Sequence, residues 1–273
     1  LKAIQEAIAA TGSTGAVDSF SELQGVVDAG IAAKATAVTL IKDYAQGNTT
    51  GLVNATGTAP TDTTFATAGV IGVTSGNLAA IQDALASSAV NGAAVDTTGE
   101  IQTLVDAYKD ILAAADGTDA NTTGAAVPNL TDYQAIGITG ATTDSAALLS
   151  DVIDGKANAD VDTVTEVQTL ADAAKAAVTY TAANGQTAPT AAQLNVLLAG
   201  QTSGGSAVPA VTADNQAAVQ AAVAAANASA PAIASQSELA DVVKAAIDAY
   251  AVAIDKIADY AETGAVAPAY TDY

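Results

Sequence analysis

Histidine, cysteine, methionine, tryptophan and arginine are all missing from this chain of 273 residues, and only eight lysines supply positive charge. Each absence removes a class of chemistry. Without histidine, no side chain has an ordinary pKa suited to proton transfer at neutral pH. Without cysteine and histidine there is neither a zinc site of the usual kind nor a thiol nucleophile. Without arginine, no planar fork can clamp a phosphate. None of the lysines has a serine three residues before it, so a Ser-x-x-Lys dyad is also missing. Asp154-Gly155-Lys156 comes nearest to a phosphate loop, but Ser150 stands where the first glycine is needed. No catalytic residue is therefore expected, no cofactor is called for, and the chain is read as not an enzyme. Long apolar runs are missing too, so no membrane insertion is expected.

What is present is acid, alanine and small polar residues. The formal charge is −21 with a pI near 4.1, which makes nucleic acid and anionic membranes poor partners. Only six of the 29 acidic residues are glutamate. The aspartates lie largely among Thr, Gly and Asn, as expected of turns, caps and a solvated surface. A sharper reading of Asp116-Gly117-Thr118-Asp119-Ala120-Asn121 is a calcium-binding turn, since its oxygen ligands fall at a plausible rhythm. Its residues do not recur elsewhere, and it lacks the rest of an EF-hand loop. Calcium is thus carried as a secondary expectation, with no metal ligand assigned.

Four of the six glutamates occupy one cassette: Ser or Thr, two residues, Glu, then an aliphatic residue. It reads Ser19 to Leu23, Thr97 to Ile101, Thr163 to Val167 and Ser235 to Leu239, with steps of 78, 66 and 72 residues between the glutamates. Each is a capping box, in which the hydroxyl accepts from the first helical turn and the Glu reaches back to the cap N–H. The helix that follows is expected to carry an apolar seam. Leu23, Val27, Ile31, Lys34, Val38, Ile41 and Ala45 match Leu239, Val243, Ile247, Tyr250, Ile254, Ile257 and Ala261 without a gap at an offset of 216. The second and third copies are expected to end about two turns earlier, near Gly117 and Gly185. Asp106/Lys109 and Asp172/Lys175 fall at i,i+3 on these helices, as a solvated face would.

A short helix is expected before each box, over 1–10, 77–86, 146–153 and 216–225, with apolar pairs Ile4/Ile8, Ile81/Leu85, Leu149/Ile153 and Val219/Val223. Asn77 and Asp214 are its expected caps. A third short helix is expected to begin at Pro60, Pro128, Pro189 and Pro268 in its first turn. The glycine-rich stretches after it, such as Gly69–Thr74, read as extended loops. Residues 195–211 read as the most flexible stretch. The expected fold is all-α: a tandem array of about four three-helix repeats forming an elongated rod, divided 1–76, 77–145, 146–215 and 216–273, the last incomplete. With Leu at position 1, the chain is expected to be a processed product or a segment of something longer.

Pro60, the Gly69–Thr74 turn, Asn77-Leu78 and Val95-Asp96-Thr97 give the chain a texture that resembles the Ala/Thr/Asp-rich helical repeats of large secreted adhesins and surface-fibre proteins of Gram-negative bacteria. That resemblance implies an extracellular, cell-surface location and no catalytic residues. The leading functional expectation is an extracellular structural or adhesive stalk or fibre segment. A self-assembling filament or surface-layer subunit is the second, and a helical protein-binding module the third. Expected partners are copies of the chain, neighbouring repeats or other cell-surface components. Ten aromatic residues spread thinly along the chain argue against a stacking platform for sugars.

Overall fold

In the computed structural model the described residues are 2–12, 18–50, 58–117, 127–183, 185–229, 232–264, 267 and 269. Their helices are α1 (Lys2–Ala10), α2 (Phe20–Thr50), α3 (Asp62–Ala68), α4 (Leu78–Ala86), α5 (Thr98–Ala114), α6 (Leu130–Ala135), α7 (Thr143–Asp154), α8 (Val164–Thr179), α9 (Ala191–Leu197), α10 (Gln216–Asn227) and α11 (Gln236–Thr263). A hairpin of β1 (Thr202–Ser203) and β2 (Ser206–Ala207) and two 3-10 turns complete them.

All four capping boxes form. The backbone N–H of Ser19, Thr97, Thr163 and Ser235 donates to the glutamate three residues on at 2.9–3.1 Å. The glutamate N–H returns a bond to the hydroxyl at 3.2–3.3 Å. These contacts close within one turn, so they need nothing from the rest of the fold. In α5 and α8 the helix is 17 and 16 residues long, against 31 and 28 in α2 and α11.

The shorter elements depart from expectation in detail. Prolines 60, 128 and 189 precede the cap instead of sitting in the first turn. Thr61, Asn129 and Thr190 are the caps, each in its own box with Thr64, Asp132 and Gln193. The fourth such segment, at Pro268, lies outside the described residues. Asn77 stands at the start of α4, but its amide turns backward, accepting from Thr74 N–H at 2.8 Å and donating to the Gly72 carbonyl at 2.9 Å. Asn215, not Asp214, holds that place before α10, with the same backward pair to Thr212 and Ala210. Residues 70–73 form an extended loop, as expected. The stretch 195–211 holds the end of α9, a turn and the hairpin, which reverses at Gly204 and Gly205 with φ of 59° and 78°. Ser203 Oγ ties that hairpin to Asp241.

The elongated rod of four three-helix repeats is overturned. The described residues group into two compact units, and neither is a run of consecutive repeats. The first comprises 1–139 and 153–168; the second comprises 140–152 and 169–273. Helices that are not chain neighbours pack together, as α4 does on α2. Within the second unit, Asp151 of α7 accepts from the Gln236 N–H that opens α11, at 2.9 Å. The terms tandem repeat, fibre and adhesin fall with the rod, because a packing pattern this uneven does not repeat. The physical reason is burial. Three short, alanine-rich helices cover little apolar surface alone, so beside neighbours such as α1 on α2 and α10 on α11, elements far away in sequence complete the cover.

In the first unit the core gathers Phe65, Ile81, Leu85, Ile101, Tyr108, Ile111 and Tyr133. In the second it gathers Leu148, Leu149, Leu194, Leu197, Val219, Val223 and Leu239. Glutamine side chains pin the loops to these cores with amide-like bond pairs. Gln102 accepts from Ile71 N–H and donates to its carbonyl, at 2.8 and 3.0 Å. Gln168 does the same for Thr139, at 2.9 and 3.0 Å. Such pairs satisfy backbone groups that an irregular loop would leave open.

Candidate functional site

The residues nearest to catalytic or ligand motifs take part in backbone contacts. Lys156 of the Asp-Gly-Lys triplet receives a bond from Gly117 N–H on its carbonyl at 2.8 Å, and Asp116 bridges Ala157. Asp116 and Gly117 of the calcium candidate are thereby part of a backbone bridge; its remaining residues lie outside the described set. Among the described residues no three Asp or Glu side chains gather as metal ligands. Lys109 pairs with Asp106 at 3.4 Å on an exposed face, and Lys244 with Asp248 at 2.6 Å, a pair the sequence reading missed.

A cluster of carboxylates in the first unit surrounds Tyr108. Its ring is fully buried and its hydroxyl donates to the Val161 carbonyl at 3.1 Å. Burial first, then the carboxylates of Asp83, Asp162 and Glu166, push this phenol well above its ordinary range. Asp83 meanwhile accepts from the Val164 N–H at 2.7 Å. It thus acts as a second anionic acceptor at the start of α8, where the helix dipole favours negative charge. Half-buried Tyr44 is also pushed up, by burial and then by Asp83. Burial and then Asp132 raise the Asp110 carboxyl, opposed by Lys109. Glu22 and Glu100 are lowered, chiefly by the Ser19 and Thr97 hydroxyls of their boxes. Asp83 and Glu166 of this cluster hold the start of α8.

Two open grooves occupy matching places in the first unit. One, of about 550 Å³, is bordered by Asn77, Lys109, Leu112 and Asp162. The other, of about 430 Å³, is bordered by Ile31, Lys34, Val38 and Asp96. Each offers a lysine, an aspartate and an apolar floor, with no convergent polar set of the kind that fixes a small molecule.

The most distinctive surface belongs to the long helices. On α2 the seam is covered in its C-terminal half, where Ala37, Ile41 and Ala45 are buried. In its N-terminal half Leu23 and Ile31 are 41% and 55% exposed, beside an exposed Phe20. On α11 the halves are reversed. Leu239, Val243 and Ile247 are buried, whereas Ile254 and Tyr260 are 46% and 45% exposed. Identical spacing therefore meets opposite surroundings. The sequence marked both seams; only the packing separates the covered half from the open one.

Compared with known protein families, curated proteins and solved structures, the chain matches none.

Proposed function

We propose that this chain is a non-catalytic structural subunit that works by associating with copies of itself through apolar helix faces its own fold leaves open, above all the C-terminal half of α11. The observation that carries the reading is the reversed burial of one shared apolar seam, which leaves Leu23 and Ile31 of α2 and Ile254 of α11 about half exposed. A formal charge of −21 favours dispersal, and single exposed apolar residues are ordinary on any surface. Aligned apolar residues continuing a buried seam are not, and such stripes mark contact sites. An extracellular, cell-surface location belongs to the same reading, supported by the cysteine-free, acidic composition and by the resemblance to secreted surface proteins.

Sedimentation velocity over about 5 to about 500 µM chain is the test, since useful assembly contacts bind at micromolar strength or better. Mass should rise with concentration. It should rise further as salt shortens the screening length from about 30 Å at 0.01 M to about 8 Å at 0.15 M, because the contact is apolar and the copies repel. A chain that stays monomeric throughout refutes the reading. Association that salt dissolves would show an ionic contact instead.

A further inference from the structure

Resting on that reading, we infer that the contact is head to tail: α1 of one copy docks on the open C-terminal half of α11 in the next. The template is inside the chain. The C-terminal half of α2 is covered by α4 and by the 3-10 turn at Gly92–Ala94. Gly92 N–H donates to Gln46 Oε1 at 3.2 Å, and a Cβ there would lie 3.0 Å from the Lys42 carbonyl. Residues 37–46 of α2 correspond to 253–262 of α11, and both stretches carry Asp-Tyr-Ala, at 43–45 and 259–261. A surface that α4 covers on α2 is thus present on α11, and there it is open.

The complementary helix is also present. Ile4-Gln5-Glu6 of α1 matches Ile81-Gln82-Asp83 of α4. In α4, α7 and α10 the apolar pairs Ile81/Leu85, Leu149/Ile153 and Val219/Val223 are all at 0% exposure. In α1 Ile4 is half-buried and Ile8 is 37% exposed. α1 packs on α2 and α3 of its own chain, yet of these four helices it alone leaves its pair partly open.

Charge fits the pairing. Residues 78–86 carry one negative charge and residues 37–46 none net, so their contact carries no net like-charge repulsion. On α11, Lys42 and Gln46 are replaced by Ala258 and Glu262, and residues 253–262 carry two net negative charges. The docking helix compensates: residues 2–10 carry no net charge in sequence, one unit more positive than α4. The open stretch of α11 also continues, without a break, the seam that is buried within its own unit. Unlike patches meeting in this way leave one free patch at each end, so the assembly adds further copies unless its rotation closes it into a ring.

The experiment uses the full chain and two variants, Ile8→Lys on α1 and Ile254→Lys on α11, followed by sedimentation velocity and light scattering. Both positions are exposed enough to keep the fold, which circular dichroism checks, and Ile254→Ala serves if the lysine variant unfolds. Each variant alone should associate about tenfold more weakly or worse, as a central apolar anchor would. Mixed together, they should form a dimer and nothing larger, because each retains the patch its partner lost. Val252→Lys, on α11 but off the seam, should leave association unchanged. If the native chain associates and either seam variant associates equally well, or the mixture forms no dimer, the head-to-tail contact is wrong while self-association stands. A native chain that never associates removes both.

Discussion

Replacing Tyr108 by Phe tests the buried polar cluster in two opposite directions. The ring stays and only the hydroxyl goes, so packing is preserved and one bond to the Val161 carbonyl is lost. That carbonyl is then left short of a donor inside the core, a loss of about 1 to 1.5 kcal/mol at pH 7. At high pH the sign reverses. In the unfolded chain the Tyr108 phenol ionises near pH ~10. In the fold, burial and the facing carboxylates of Asp83, Asp162 and Glu166 hold the proton on to higher pH. Above pH ~10 the unfolded state therefore binds fewer protons than the folded one. Stability of the native chain then falls by about 1.4 kcal/mol per pH unit on account of this group. The Phe variant lacks that loss, and every other titrating group cancels in the difference between the two proteins. The curves should cross between about pH 10.5 and 11, where the ionisation loss equals the hydrogen bond. Urea unfolding followed by circular dichroism at pH 7, 9 and 11 measures it. Equal stabilities at pH 7, or a difference that does not change between pH 9 and 11, would refute the account of Tyr108 as a buried neutral donor.

Asp83→Ala and Asp151→Ala should each cost about 1 to 2 kcal/mol, since each deletes an anionic acceptor at a helix start, whereas Asp→Asn should cost less by keeping an oxygen there. Urea midpoints report both, and an Ala variant no weaker than its Asn counterpart would show that only shape mattered. Gly137→Ala should destabilise by about 2 kcal/mol or more: its φ is 92°, and a Cβ would sit 2.8 Å from Ser87 Oγ and 3.3 Å from Ala89 Cβ. Gly117→Ala, at φ 81° in open space, should cost only the backbone share of about 1 kcal/mol, and equal losses at the two sites would falsify the steric part.

Much of the local structure was legible because it closes over three or four residues. The serine and threonine boxes, the seams of α2 and α11 and the shorter α5 and α8 all follow from contacts within a helix. The prolines misled by one or two residues, since Thr61, Asn129 and Thr190 offer the side-chain oxygen that proline lacks. Of the candidate contact surface, the sequence contained every residue but not which of them are open.

What the sequence by itself determined is helix placement, the absence of histidine, cysteine and arginine, and the acidic charge, all properties of composition or of spacing along the chain. Only the tertiary structure decided that Asp83 would meet Val164, that Tyr108 would meet Val161, and that α4 would cover α2. It also replaced the expected rod with two units that exchange segments of chain. The reason is that apolar burial is non-directional. A seam specifies that it will be covered, while the covering element is chosen by chain geometry and by what else remains unburied. The same seven-position seam is therefore closed at opposite ends on α2 and α11, and the function proposed here rests on that difference.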